Sequence, residues 1–155
     1  MEFRPIDVRK DRQTIIAFRK DSYVVSFGSE EGFGDEDVYV TRLENKAKQF
    51  PDGLMLVKEA GQPIGQIELQ IVGHEGSEIG YVNLFYFIPA YRGKGYGGQL
   101  VAYAERFFKK YGVKLYHLRV SPTNQAALRL YEKYGLRVLD KEEGPFAVWR
   151  MIKEL

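Results

Sequence analysis

Apolar side chains change their spacing several times along this chain, and each change marks an element. Residues 2–8 read as a short strand, and a helix follows from about Asp11 to Phe27. The Gly-rich segment 28–37 reads as a loop. Asp35 stands where an N-cap is expected, and Val40, Leu43, Ala47 and Phe50 then recur at helical spacing until Pro51-Asp52-Gly53. Leu54–Ala60 is a strand and Gly61-Gln62-Pro63 a turn. Ile67, Leu69 and Ile71 alternate with Gln66, Glu68 and Gln70, which predicts a hairpin with one wet face. After a polar turn at 73–78, Tyr81–Ile88 is almost continuously apolar and suits a central strand buried on both faces.

Pro89 ends that strand. Arg92-Gly93-Lys94-Gly95-Tyr96-Gly97-Gly98 opens a helix with an apolar stripe of Leu100, Val101, Ala104, Phe107, Phe108 and Tyr111, stopped by Gly112. Lys114–Ser121 is a strand, and Pro122–Tyr134 a helix closed by Gly135. Ala127, Leu130 and Tyr134 are its expected core positions. Two strands, about 136–142 and 146–153, flank Glu143-Gly144-Pro145. The order β-α-α-β-β-β-α-β-α-β-β predicts an α/β fold: a mixed, mostly antiparallel central sheet with flanking helices.

Composition narrows the chemistry. With 155 residues, 45% of them apolar and 14% aromatic, the expectation is one globular domain over residues 1–155. The absence of cysteine excludes a thiol nucleophile and disulfides, and two isolated histidines leave no metal site in prospect. No signal region or membrane-length apolar run stands out, so a cytoplasmic protein is expected, with no membrane partner. A formal charge of +2 gives no case for nucleic acid. The distribution is more telling. Pro89–Tyr131 carries eight bases, among them Arg92, Lys94 and Arg119, against the one acid Glu105. Gly28–Asp37 carries Glu30, Glu31, Asp35, Glu36 and Asp37 with no base. The basic half suits an anionic ligand. The acidic loop is either a solvated face or the border of a site for a cationic molecule.

The run 92–98 is the strongest chemical signal. Glycines let backbone N–H groups converge, and the following helix adds its positive N-terminal end, a combination that binds pyrophosphate. A Walker loop is excluded, because no Gly-Lys-Ser/Thr follows. A dinucleotide loop matches formally at Gly93-x-Gly95-x-x-Gly98. It lacks its acidic partner, since no acid lies between Glu105 and Glu132, and it follows an antiparallel hairpin.

Arg92-x-x-Gly95-x-Gly97, preceded by Phe85-Tyr86-Phe87-Ile88-Pro89, resembles the acyl-CoA loop of the GNAT superfamily of N-acetyltransferases. The segment from Asn124 to Gly135 resembles that superfamily's second conserved helix. The resemblance covers about residues 79–143; residues 1–60 match in element order alone. It implies a GNAT-like acyl-CoA N-acyltransferase fold and transfer of an acetyl group from acetyl-CoA to a primary amine by direct attack. The amine would belong to a small molecule or a protein. A non-catalytic acyl-CoA-binding domain is the alternative, and the oligomeric state, including a homodimer, is left open.

The same resemblance implies residue roles. The backbone of Phe85, Tyr86 and Phe87 would pair with the pantetheine arm where the central strand and the 114–121 strand splay apart. The Phe87 N–H would face the thioester oxygen. Arg92, Gly93, Lys94, Gly95, Tyr96, Gly97 and Gly98 would cradle the pyrophosphate. Asn124 would either cap its helix or reach the cofactor. Tyr131, two turns on along the same face, would donate a proton to the departing thiolate. Many superfamily members carry a glutamate five residues before the asparagine, and here that position is Arg119, which stays protonated and cannot act as a base. His117, Glu68, Glu78 and water remain as candidates for the base.

Overall fold

Two hairpins with two-residue turns build the centre of the sheet. Strands β2 (Leu54–Glu59) and β3 (Gln62–His74) are joined by Ala60-Gly61, and β3 and β4 (Ser77–Phe87) by Glu75-Gly76. All four turn residues have positive φ, from 49° to 82°, the conformation whose twist matches paired strands. The turns are tighter and the strands longer than the sequence reading has them. Gln62 and Pro63 pair with Glu59 and Lys58, so they belong to β3 rather than to a turn. Likewise, the expected polar turn at 73–78 shrinks to two residues. The computed structural model describes every residue from Met1 to Leu155.

The remaining elements are β1 (Glu2–Pro5), α1 (Arg12–Phe27), α2 (Glu36–Gln49), α3 (Gly97–Lys110), β5 (Leu115–Val120), α4 (Gln125–Lys133), β6 (Arg137–Glu142) and β7 (Val148–Glu154). β1 stops at Pro5 because Asp7 and Asp11 turn the chain: the N–H of Asp7 donates to Asp11 Oδ2, and that of Arg9 to Asp7 Oδ1. The sheet runs β1-β2-β3-β4-β5-β7-β6, with only β4 and β5 parallel. This is the mixed, mostly antiparallel sheet that the element order predicts.

Helices cover both faces. On one, Leu100, Ala104, Phe107 and Phe108 of α3 and Leu128 and Tyr131 of α4 pack on Ile67, Leu69, Val82, Phe87, Tyr116 and Leu118. On the other, Ile15, Ile16, Tyr39 and Leu43 of α1 and α2 pack on Leu54 and Leu56. The second layer overturns the expected wet face. Gln66 is 0% and Glu68 4% exposed, because α2 lies over them. Their polar atoms are satisfied from that helix: Tyr39 donates to Glu68 Oε2 at 2.7 Å, and Gln66 Nε2 donates to the same oxygen at 3.0 Å. On α4 the buried pair is Leu128 and Tyr131, while Ala127, Leu130 and Tyr134 are half-buried. Leu130 and Tyr134 instead hold the preceding helix, α3: a Cβ on Gly97 would meet Leu130 at 2.7 Å, and one on Gly98 would meet the Tyr134 hydroxyl.

A candidate active site between two parting strands

β4 and β5 pair only at Gly80–Tyr116, Tyr81–His117 and Val82–Leu118. Beyond that they separate, and the cause lies in β4. Its pairing with β3 passes from Leu69–Val82 to Glu68–Leu84, leaving Asn83 as an extra residue. Such a bulge bends its strand and ends pairing locally. From there the β4 backbone alternates between its two neighbours. The N–H of Ile88 donates to Ile64 C=O at 2.9 Å, so Ile88 and Tyr86 face β3. Phe85 and Phe87 therefore turn their N–H and C=O groups into the gap. Of the three residues expected along the pantetheine arm, Tyr86 turns its backbone the other way.

The gap opens into a cavity of about 730 Å³ walled by α1, β4, β5, α4 and the glycine loop. Gly93 and Gly95, with φ of 69° and 84°, turn the loop. No side chain caps α3 and no acid lies in its first turn, so its leading N–H groups are unclaimed by side chains. Arg92, Gly93, Gly95, Tyr96 and Gly97 line the cavity; Lys94 stands exposed outside that lining, as Gly98 lies outside it beneath Tyr134. The glycines thus have two causes. Gly93 and Gly95 are set by backbone conformation, Gly97 and Gly98 by the approach of α4.

Arg92 is anchored inward. Its Nε donates to Phe87 C=O and its Nη2 to Asp21 Oδ2, both at 2.7 Å, and its guanidinium lies 5.3 Å from the Tyr86 ring centre. Tyr86 donates to the same Asp21 oxygen at 2.5 Å. Burial opposes ionisation of Asp21, but the hydrogen bonds from Tyr86 and Arg92 outweigh it and hold the carboxyl below the usual range. Nothing in the sequence pairs Asp21 with the loop, which lies some seventy residues away.

Asn124 and Tyr131 both line the cavity. Asn124 Oδ1 accepts from the N–H of Ala127 at 3.2 Å, so the capping role is realised. Tyr131 is 8% exposed, its ring 6.2 Å from that of Phe85, and burial alone pushes its hydroxyl pKa up. The phenol stays protonated at neutral pH.

The three named base candidates lie elsewhere. Glu68 is sealed beneath Tyr39, Glu78 is exposed at the start of β4, and His117 is buried in the sheet. Arg150 donates to His117 Nδ1 at 2.9 Å; burial first, and the Arg150 charge second, push the imidazole down to about 4. Arg119 forks onto Glu142 at 2.9 and 3.3 Å and reaches the Tyr81 hydroxyl at 3.1 Å. No aspartate, glutamate or histidine lines the cavity, whereas Arg19, Arg92, Arg119, Arg129 and Lys133 do.

The acidic loop does not border it either. Asp35 caps α2 through the N–H of Val38, Glu36 pairs with Lys20 and Asp37 with Arg12, each pair at 2.6 Å. The wall that sequence reasoning missed is on α1, where Arg19, Ser22, Tyr23 and Ser26 follow one another at helical spacing.

Residues 14–136 match the Acetyltransferase (GNAT) family. An uncharacterized N-acetyltransferase of Methanocaldococcus jannaschii is 27% identical over 112 residues, 70% of this chain and 48% of that protein. The chain thus spans about half the length of that relative. An uncharacterized N-acetyltransferase of Bacillus subtilis is 29% identical over 133 residues, covering 83% of this chain and 74% of the relative. Among solved structures, a PaiA N-acetyltransferase from Thermoplasma acidophilum in complex with coenzyme A superposes with a TM-score of 0.78 at 23% identity, over 99% of this chain and 98% of that one. A ribosomal-protein-alanine N-acetyltransferase from Brucella melitensis superposes with 0.80 at 20% identity, over the whole of both chains. A bulged β4 parting from β5, a glycine loop opening α3 and a family match over most of the length agree, and this chain belongs to the GNAT acetyltransferase family.

Proposed function

We propose that this protein transfers the acetyl group of acetyl-CoA to a primary amine by direct attack within a ternary complex. The observation that carries the reading is one continuous surface: the bared edge of Phe85 and Phe87 runs into the glycine loop and the uncapped start of α3. An extended arm ending in a pyrophosphate fits it, the arm along the strand edge and the phosphates at the helix N-terminus. Acetyl-CoA supplies the thioester. The Phe87 N–H, on the same edge as the carbonyl that Arg92 holds, is aimed to stabilise the oxygen that gains negative charge.

The amine nitrogen bonds to the acetyl carbon, the C–S bond breaks with its electron pair going to sulfur, and the nitrogen gives up a proton. A thiol has an ordinary pKa of about 8.5, well below that of a buried phenol. Tyr131 therefore stabilises the departing thiolate by donating a hydrogen bond, while the nitrogen's own proton, relayed by water, balances the charge.

The test is free thiol release from acetyl-CoA with a panel of amines, its rate rising with pH up to the acceptor's own pKa. The lack of a carboxylate in the cavity also favours a second reading, an acyl-CoA-binding domain without turnover. That reading predicts acetyl-CoA binding but no thiol release with any amine.

A further inference from the structure

The acceptor end of the cavity is read by charge. Two of its arginines are already neutralised, Arg92 by Asp21 and Arg119 by Glu142. Arg129 and Lys133 are on α4, the helix whose Leu130 and Tyr134 press on the glycine loop, and so belong to the phosphate end. Arg19 is different. It is on α1, across the cavity from the loop's helix pair, and it makes no ion pair. Its Nη1 donates to Ser22 Oγ at 3.3 Å, its guanidinium lies 5.0 Å from the Tyr23 ring centre, and its Nε is buried without a hydrogen-bond partner. A guanidinium held over a ring, with donors unspent and no ion pair, is poised to receive a planar anion.

The surroundings describe the rest of the ligand. Ser26 and Tyr81 offer hydroxyls, while Val25, Phe27 and Val148 give an apolar wall that Phe146 backs by packing 4.7 Å from Phe27. A polycation would meet no carboxylate here and would sit in a repulsive field.

We infer that the acceptor is a small amine that carries a carboxylate beside an apolar side chain, and that Arg19 binds the carboxylate. This rests on the proposed acetyl transfer and names its substrate class. It replaces the expectation of a cationic acceptor drawn from the acidic loop. Arg19 is a specificity residue, acting on binding and on orientation of the nitrogen.

The experiment compares phenylalanine, phenethylamine and spermidine as acceptors. The corresponding acetylated products, N-acetylphenylalanine and N-acetylphenethylamine, are titrated calorimetrically into the CoA-saturated protein. The expected result is KM for phenylalanine at least about tenfold below that for phenethylamine, with the same order in product affinity and spermidine poorest. Arg19→Gln should raise KM for phenylalanine about ten- to a hundredfold, leave phenethylamine unchanged and spare kcat. Arg19→Lys should recover part of the loss, since it keeps the charge but not the fork. Equal binding of the two acetylated products, a preference for phenethylamine or spermidine, or an Arg19→Gln loss common to all acceptors would overturn the assignment. Product binding is read without turnover, so failure of acetyl transfer itself would show separately, as CoA that does not bind or thiol that is never released.

Discussion

At the level of single residues, identical letters do different jobs. Gly95 and Gly97 are equivalent in the sequence motif, yet Gly95 has a φ of 84° with open space around it and Gly97 faces Leu130. Gly95→Val forces a β-branched residue into the left-handed region and disturbs the turn of the nest, so acetyl-CoA affinity should fall at least about tenfold. Gly97→Val wedges α3 from α4, and its first effect should be on stability, a loss of about 1–3 kcal/mol by overpacking. Calorimetry and thermal unfolding on both variants separate the two; the reverse pattern would refute the assignment. Tyr131→Phe keeps the buried ring and removes one hydrogen bond to a charged sulfur. The expected result is kcat lower by roughly ten- to a hundredfold with acetyl-CoA affinity unchanged. The motif register points to Tyr131 in the sequence itself. Asp21 and Arg19 are invisible there, because a helix residue's partner across seventy positions is set by packing, not by spacing.

Among the elements, helices α1 to α4 and most strands were legible from apolar spacing and glycine stops, while the face of β3 was not. The alternation of Gln66, Glu68 and Gln70 signals a solvated face, but α2 supplies the Tyr39 hydroxyl in place of water, so Gln66 and Glu68 end up inside. Gly80 is a similar case. A Cβ there would run into the Phe108 ring, and that ring stacks on Tyr116 at 4.9 Å. Gly80→Ala should cost about 1–3 kcal/mol, read from urea unfolding. The β5–β7–β6 side has its own pH signature. His117 is pushed down to about 4 from an ordinary 6.5, so the unfolded chain binds the proton more readily between those values. Stability from His117 is present above about pH 6.5 and is lost as pH falls towards 4. His117→Gln keeps an acceptor for Arg150 and removes the titration. The urea midpoint of the variant should change less between pH 6.5 and 4.5 than that of the wild type; parallel curves would contradict this.

For the molecule as a whole, the fold and family were legible because the glycine loop and the Asn124–Gly135 helix lie close together in the chain and carry local signals. The acceptor side was not, because it is assembled from α1, β4, β5 and β7 only when the sheet closes. Overall charge misled for the same reason. The acids of Gly28–Asp37 look like a field when read in a row, but Asp35 is a cap, and Glu36 and Asp37 are matched by Lys20 and Arg12. The cavity keeps the opposite sign. Direct transfer between two molecules held in one cavity is tested by incubating the protein with acetyl-CoA labelled in the acetyl group, first alone and then with a reactive amine. The expected result is no label on the protein in the first step, and in the second one labelled amide per thiol released. Label retained covalently on the protein, or no amine-dependent thiol from any acceptor, would contradict it.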